Sequence, residues 1–341
     1  MATAIAQSKN PSGRPGPLAL LRRAWALNAP LTLLGVVMVW TLLAALVGLV
    51  VDHQVITGAP AWLKPAKFAI SVTIYCFTFV YLLQFVRGHR RLVAFVATAT
   101  AFALLVEMVI IVGQVVRGTT SHFNYSTPLD AALWMTMAGF IGLTWTMALI
   151  LGVLLLFQRM PDPVWAWALR LSVLLALFGM GVAFLMTSPT ATQLAGAQAG
   201  NGMPIIGAHT VGVADGGSGL PLLGWSTVGG DLRIPHFFGL HGLQVMLVLG
   251  VLLTLPATRA VLNVGQRVAL VWTAGLGYLG LIGLLTWQAL RGQSIIAPDG
   301  VTLAVSGALL GAAALTIALI LIVGRRNAQA VNGAPQINQD V

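Results

Sequence analysis

Eight apolar runs of about 20 residues divide this 341-residue chain, and a helix needs about that length to cross roughly 30 Å of hydrocarbon. The runs lie near residues 31–51, 68–87, 92–116, 131–157, 164–186, 234–256, 267–290 and 302–324. Composition agrees: 58% of residues are hydrophobic and 8% charged, with a mean hydropathy of +0.90. A soluble domain carries about 25% charged residues. The fold class is therefore an all-α integral membrane protein, a bundle of about eight transmembrane helices.

Eight spans place both termini on one side. In that arrangement thirteen Lys and Arg residues, from Lys9 and Arg14 to Arg325 and Arg326, share the side of the termini. Five face the other way: Lys64, Lys67, Arg117, Arg233 and Arg291. The positive-inside rule makes both termini cytoplasmic. The formal charge of +10 is scattered between apolar segments with no basic domain, which excludes a nucleic-acid partner and leaves the lipid bilayer as the main one. Cys76 is the only cysteine, so neither an intrachain disulfide nor a CxxC motif can form. Residues 1–30 are expected to be a flexible basic cytoplasmic N-terminus without a signal peptide. Residues 31–186 should hold helices one to five, 187–233 a long periplasmic loop able to act as a lid, 234–324 helices six to eight, and 325–341 a cytoplasmic tail. Gly307 and Gly311 form a GxxxG pattern expected to pack within the chain, as are Gly277, Gly280 and Gly283. The oligomeric state is not legible.

The topology gathers the polar chemistry at the outer end. Five of the six histidines lie there: His53, His122, His209, His236 and His241; His89, in "RGHRR", is cytoplasmic. Glu107 is about nine residues inside the outer end of the third helix, roughly 14 Å deep, where an ionisable group is costly and usually faces a bundle interior or a watery cavity. Gln114 follows on nearly the same face and Arg117 at the mouth. Asp130, after Pro128, suits the cap of the fourth helix. Lys64 and Lys67 read as lipid anchors or, more sharply, as a site for an anionic headgroup or carboxylate. The long loop lacks GK[ST], so it is not a nucleotide-binding P-loop.

In "RIPHFFGLHGLQ", His236 and His241 are roughly 140° apart on an ideal helix, so they should not share one ion. Three readings follow. The histidines satisfy interfacial hydrogen bonds; or they ligate haem or a transition metal together with His122, His209 or His53; or they join Glu107, Gln114 and Arg117 in binding or protonating a substrate.

"WLKPAKFAIS", "RGTTSHFNYSTPLD" and "GDLRIPHFFGLHGLQ" resemble recurring motifs of an uncharacterised family of bacterial multi-pass inner-membrane proteins. The resemblance implies the bacterial cytoplasmic membrane and carries no established activity. Eight helices with outer-face histidines are also similar to haem A synthase, from which this chain departs in lacking the repeated acid–histidine pattern of paired helices. The expectation is a polytopic protein with a periplasm-facing His/Glu/Arg pocket, read first as haem- or metal-dependent redox chemistry. Glu107 and Gln114 would handle protons or bind substrate, His241 and His122 would be ligands with His236 and His209 in reserve, and Arg117 and Arg233 would hold an anion or propionate. The alternatives are a cofactor-free transporter or sensor of a small-molecule, quinone or lipid ligand, and a structural or assembly protein.

Overall fold

The computed structural model describes residues 16–332, with side chains as far as Gly324. Lys9, Arg14, the side chains of Arg325 and Arg326, and the tail from residue 333 lie outside the described residues. In chain order the helices are α1 (Pro17–Leu27), α2 (Ala29–Val51), α3 (Leu63–Leu83), α4 (Arg90–Val116), α5 (Pro128–Leu156), α6 (Pro163–Val182), α7 (Ala191–Gln198), α8 (Arg233–Thr254), α9 (Pro256–Val261), α10 (Val264–Leu290) and α11 (Gly300–Asn332). All but α1, α7 and α9 belong to the eight segments long and apolar enough to span a membrane. Hydrocarbon offers backbone groups no water, so each span closes its hydrogen bonds within its own helix.

Local sequence sets the helix starts. Asn28 caps α2 by accepting from the Leu31 N–H at 3.0 Å, and Asp162 caps α6 through the N–H groups of Val164 and Trp165. Asn263 and Gln266 make a reciprocal capping box on α10. The second span begins at Leu63 rather than 68, because Pro65 falls in the first turn, where a missing N–H costs little. Lys64 and Lys67 thus lie in the first turns of this helix. The cap of α5 is Thr127, not Asp130, which instead sits in the first turn. At the ends of the chain, residues 17–27 of the segment expected to be flexible form α1, and α11 runs eight residues past the expected start of the tail.

The closest crossing is that of α6 on α8, made at Gly179 and Gly239: a Cβ on either would collide with the other's backbone. Gly242 rests on Leu175 and Gly250 on Trp165 and Ala168. Two apolar cores follow, one joining α2–α6 around Met38, Cys76 and Leu151, the other joining α5, α6, α8 and α10 around Met137, Leu175 and Met246. The anticipated GxxxG contact is absent among the described residues. A Cβ on Gly307 or Gly311 would meet nothing within 4 Å, and of Gly277, Gly280 and Gly283 only Gly280 receives a neighbour, Leu309 of α11.

Loops close one end of the bundle. Between α2 and α3 a hairpin pairs β1 (Val55–Ile56) with β2 (Ala59–Pro60). Its central residues Thr57 and Gly58 have φ of 49° and 71°, as a tight two-residue hairpin turn requires. Between α6 and α8, β3 (Thr210–Val211) pairs with β4 (Gly230–Asp231), and α7 is held by a Thr190–Gln193 capping box, so the loop's first half is not the structureless stretch its composition suggested. The loop is pinned down at Tyr125 N to Pro204 O (2.8 Å), Ile206 N to Phe123 O (2.9 Å) and Ser294 Oγ to Ser226 O (3.1 Å).

The crossing and the open glycines make opposite predictions. Gly239→Val should destabilise the protein by about 1–3 kcal/mol or prevent its accumulation, whereas Gly311→Leu should leave the melting temperature of the purified monomer unchanged. Equal effects on melting would contradict the packing described.

Candidate functional site

Glu107, Gln114 and Thr100 repeat at seven-residue spacing along the inner face of α4, and all three are buried. Glu107 is 2% exposed; its Oε1 lies 3.7 Å from His122 Nε2, and its Oε2 has no hydrogen-bond partner. His122 comes from the α4–α5 loop. It is seated by Phe123, whose φ of 61° is rare for a bulky residue and reverses the chain so that Phe123 packs at 4.9 Å on both Trp134 and His209. The His122 ring is bounded by Phe68, Trp134 and the His209 ring, with centroids at 5.9, 5.3 and 6.2 Å.

The long loop supplies the next pair. Asp215 accepts from the His209 and Thr210 N–H groups, from Thr210 Oγ1 at 2.7 Å and from His209 Nδ1 at 2.7 Å. Burial alone would raise the Asp215 carboxyl, but these donors and the imidazole hold it well below the usual carboxylate range. Burial depresses the His209 ring, offset in part by Asp215. Burial likewise pushes His122 well below the ordinary imidazole value, helped by the nearby Lys64 and His209.

His236 belongs to the same end of the bundle. Its Nδ1 donates to the Gly179 carbonyl at 2.7 Å, a bond made possible by the Gly179–Gly239 approach. A carbonyl only accepts, so Nδ1 carries the proton and Nε2 is left as the other face of the ring. Lys64, in the first turn of α3, feels the charges of Glu107, Asp215 and Arg233 yet makes neither an ion pair nor a hydrogen bond among the described residues.

Several expected site residues lie elsewhere. Gln114 is spent on structure: its amide donates to Asp130 Oδ1 at 2.9 Å and its carbonyl accepts from Arg117. Arg117 also pairs with Asp130 at 2.7 Å, and Arg233 grips Asp231 and the Gly224 carbonyl, so both arginines already have anionic or carbonyl partners. Asp130 and Asp231 lie within two or three positions of a backbone turn and act as local clamps. His241 is turned to the face of α8 that carries the exposed Phe237 and Val248, and it packs on the Phe237 ring at 4.3 Å. It therefore does not join His122. Among the described residues no three His, Cys, Asp or Glu side chains converge on a common ion. Phe68 and Asp215 were missed as site residues, whereas the sequence reads Lys64 only as a lipid anchor or an anion site. The four-residue step from Lys64 to Phe68 in "WLKPAKF" is a usable signal once the helix is known to start at Leu63, whereas no spacing marks Asp215.

The fold and this site define a polytopic α-helical membrane protein whose ionisable residues are collected under a folded loop at one end of the bundle. Comparison with protein-family models, with curated proteins and with solved structures gave no match.

The two depressed loop histidines carry a pH signature. Their neutral rings contribute stability that is complete above the free-imidazole value of 6.5 and is lost as pH falls towards their lower folded values. Melting temperature should therefore drop between about pH 7 and pH 5, with a slope of up to about 1.4 kcal/mol per pH unit for each ring. His122→Gln should flatten that slope; a profile unchanged by the substitution would contradict the burial of this ring.

Proposed function

We propose that the protein is a bacterial inner-membrane transporter or sensor that binds a small ligand beneath its outer loop and exchanges a proton with it through Glu107 and His122. The observation that carries this reading is the Glu107 carboxylate, sunk about nine residues into a spanning helix with one oxygen unpartnered and the other 3.7 Å from the His122 ring. His122 leads in turn to His209 and Asp215, so ionisable groups run in series from the bundle interior to the loop. Proton relays in membranes use such carboxylate and imidazole chains. The charge bias of the loops supports an outward-facing site with both termini cytoplasmic.

The test is a comparison of solutes taken up or expelled by cells making the wild-type protein or Glu107→Gln, at matched membrane abundance. At least one solute should move with the wild type in a manner that depends on the pH gradient, and not with the variant. Identical profiles would reject the reading.

A redox reading remains second and moves to different ligands. His209 and His236 each have Nδ1 fixed, by a carboxylate and by a carbonyl, leaving Nε2 as the outward nitrogen, which is how metal-binding imidazoles are commonly held. A Soret band or stoichiometric metal in gently purified protein, lost on His236→Gln, would favour it over transport. Absence of both would remove it.

A further inference from the structure

Above Lys64 the loop encloses a cleft of about 360 Å³, walled by residues 213–218, Thr210, Gly224, Ser226, Val228 and Arg233. This is within the size range of small-ligand sites. Its wall includes the glycine-rich run "ADGGSG", in which the N–H groups of Ala214 to Ser218 make no backbone hydrogen bonds among the described residues. Gly216 has φ of +89°, which favours glycine, and its carbonyl lies where a Cβ on Gly58 would collide with it. Successive unpaired N–H groups around a left-handed residue form anion-binding concavities in other proteins.

The charges around the cleft point the same way. Asp231 is taken up by Arg233, and Asp215 by His209 and Thr210. Arg233 uses Nε and Nη2 for those contacts, while Nη1 makes no hydrogen bond among the described residues and lies beside Gly224. Lys67 reaches up to the Leu223 carbonyl at 3.1 Å, next to Gly224, and feels Arg233 and Asp231. Lys64 is near enough to feel the charges of Asp215 and Arg233 in the cleft wall and of the deeper Glu107. Neither lysine has a carboxylate in ion-pair contact among the described residues. The Lys67 ammonium group therefore borders the cleft beside Gly224 with no carboxylate in ion-pair contact among the described residues.

We infer that this cleft is an anion-binding site that takes a phosphate or carboxylate group, held by Lys67, Arg233 Nη1 and the N–H groups of the glycine-rich run, with Lys64 below it. The inference rests on the proposed ligand-binding role and names the chemical class of the ligand. A free anion and the headgroup of an anionic lipid share this chemistry.

Two substitutions test it without touching Glu107. Lys67→Gln removes the charge and keeps a donor for the Leu223 carbonyl. Gly217→Leu fills the cleft, since a Cβ there meets only the Ala214 carbonyl oxygen at 3.8 Å. Calorimetric titration of inorganic phosphate and of acetate into the full-length protein in zwitterionic nanodiscs should show saturable binding, weakened at least about tenfold by either substitution. If the anion belongs to a lipid, phosphatidylglycerol should instead remain bound when the wild type is purified from mixed nanodiscs, and be lost from both variants. No bound anion from either source, or binding that both variants retain, overturns the inference. Absence of anion binding together with intact Glu107-dependent solute movement would overturn this inference alone; the converse would overturn the transport reading alone.

Discussion

Inside hydrocarbon a polar group that finds no partner costs several kcal/mol, and this one penalty organises the molecule. It makes every long apolar run a helix and exiles most ionisable side chains to the ends. It also sets strict terms for those that stay inside. Gln114 is tolerated because Asp130, Arg117 and the Thr120 carbonyl surround it, and Arg267 because it reaches the Leu253 carbonyl. Among the described residues the Tyr75 hydroxyl, Gln244 Oε1 and the Nε of Arg170 and Arg267 are also buried without a partner, and Glu107 is the one carboxyl group with an oxygen left over. Unlike Gln114, Glu107 therefore keeps an acceptor free while its other oxygen lies 3.7 Å from the His122 ring.

The same penalty explains the folding of the loop. The fifty residues between α6 and α8 could have trailed into water, yet they form β3–β4, α7 and a set of backbone bonds to the α4–α5 loop. Covering the bundle end dries the space around His122 and His209, which is what depresses their protonation. The loop that encloses the cleft thus also favours the neutral form of the rings beneath it.

Much of this was legible in the sequence. Run length and charge bias specify eight helices and place the polar end, because hydropathy over about 20 residues reflects a single physical requirement. Glu107 and His122 stand out as polar groups in costly or crowded positions, and the fold brings them within 3.7 Å of each other. Pairwise partners were not legible. Gln114 and Glu107 share a helix face, but which one is satisfied depends on Asp130, which arrives from another helix. Arg117 resembles a ligand-binding group until Asp130 is seen beside it, and only the structure shows that Asp231 takes up Nε and Nη2 of Arg233 and leaves Nη1 over. His241 and His236 differ by five positions, which correctly separates them; nothing in the spacing says that His236 is the inward one. That depends on Gly179 and Gly239, whose contact a one-dimensional GxxxG search passes over in favour of Gly307 and Gly311, where the helix is bare.

The central claim is that the loop brings His209 onto His122 above Glu107, with His241 outside that group. Solid-state NMR of the histidine-labelled protein in lipid bilayers tests it most directly through correlations between imidazole rings. The account predicts a cross-peak joining His122 and His209, whose rings are 6.2 Å apart, that disappears in His209→Gln. A His122 ring that instead correlates with His241, or with no other histidine, would contradict it.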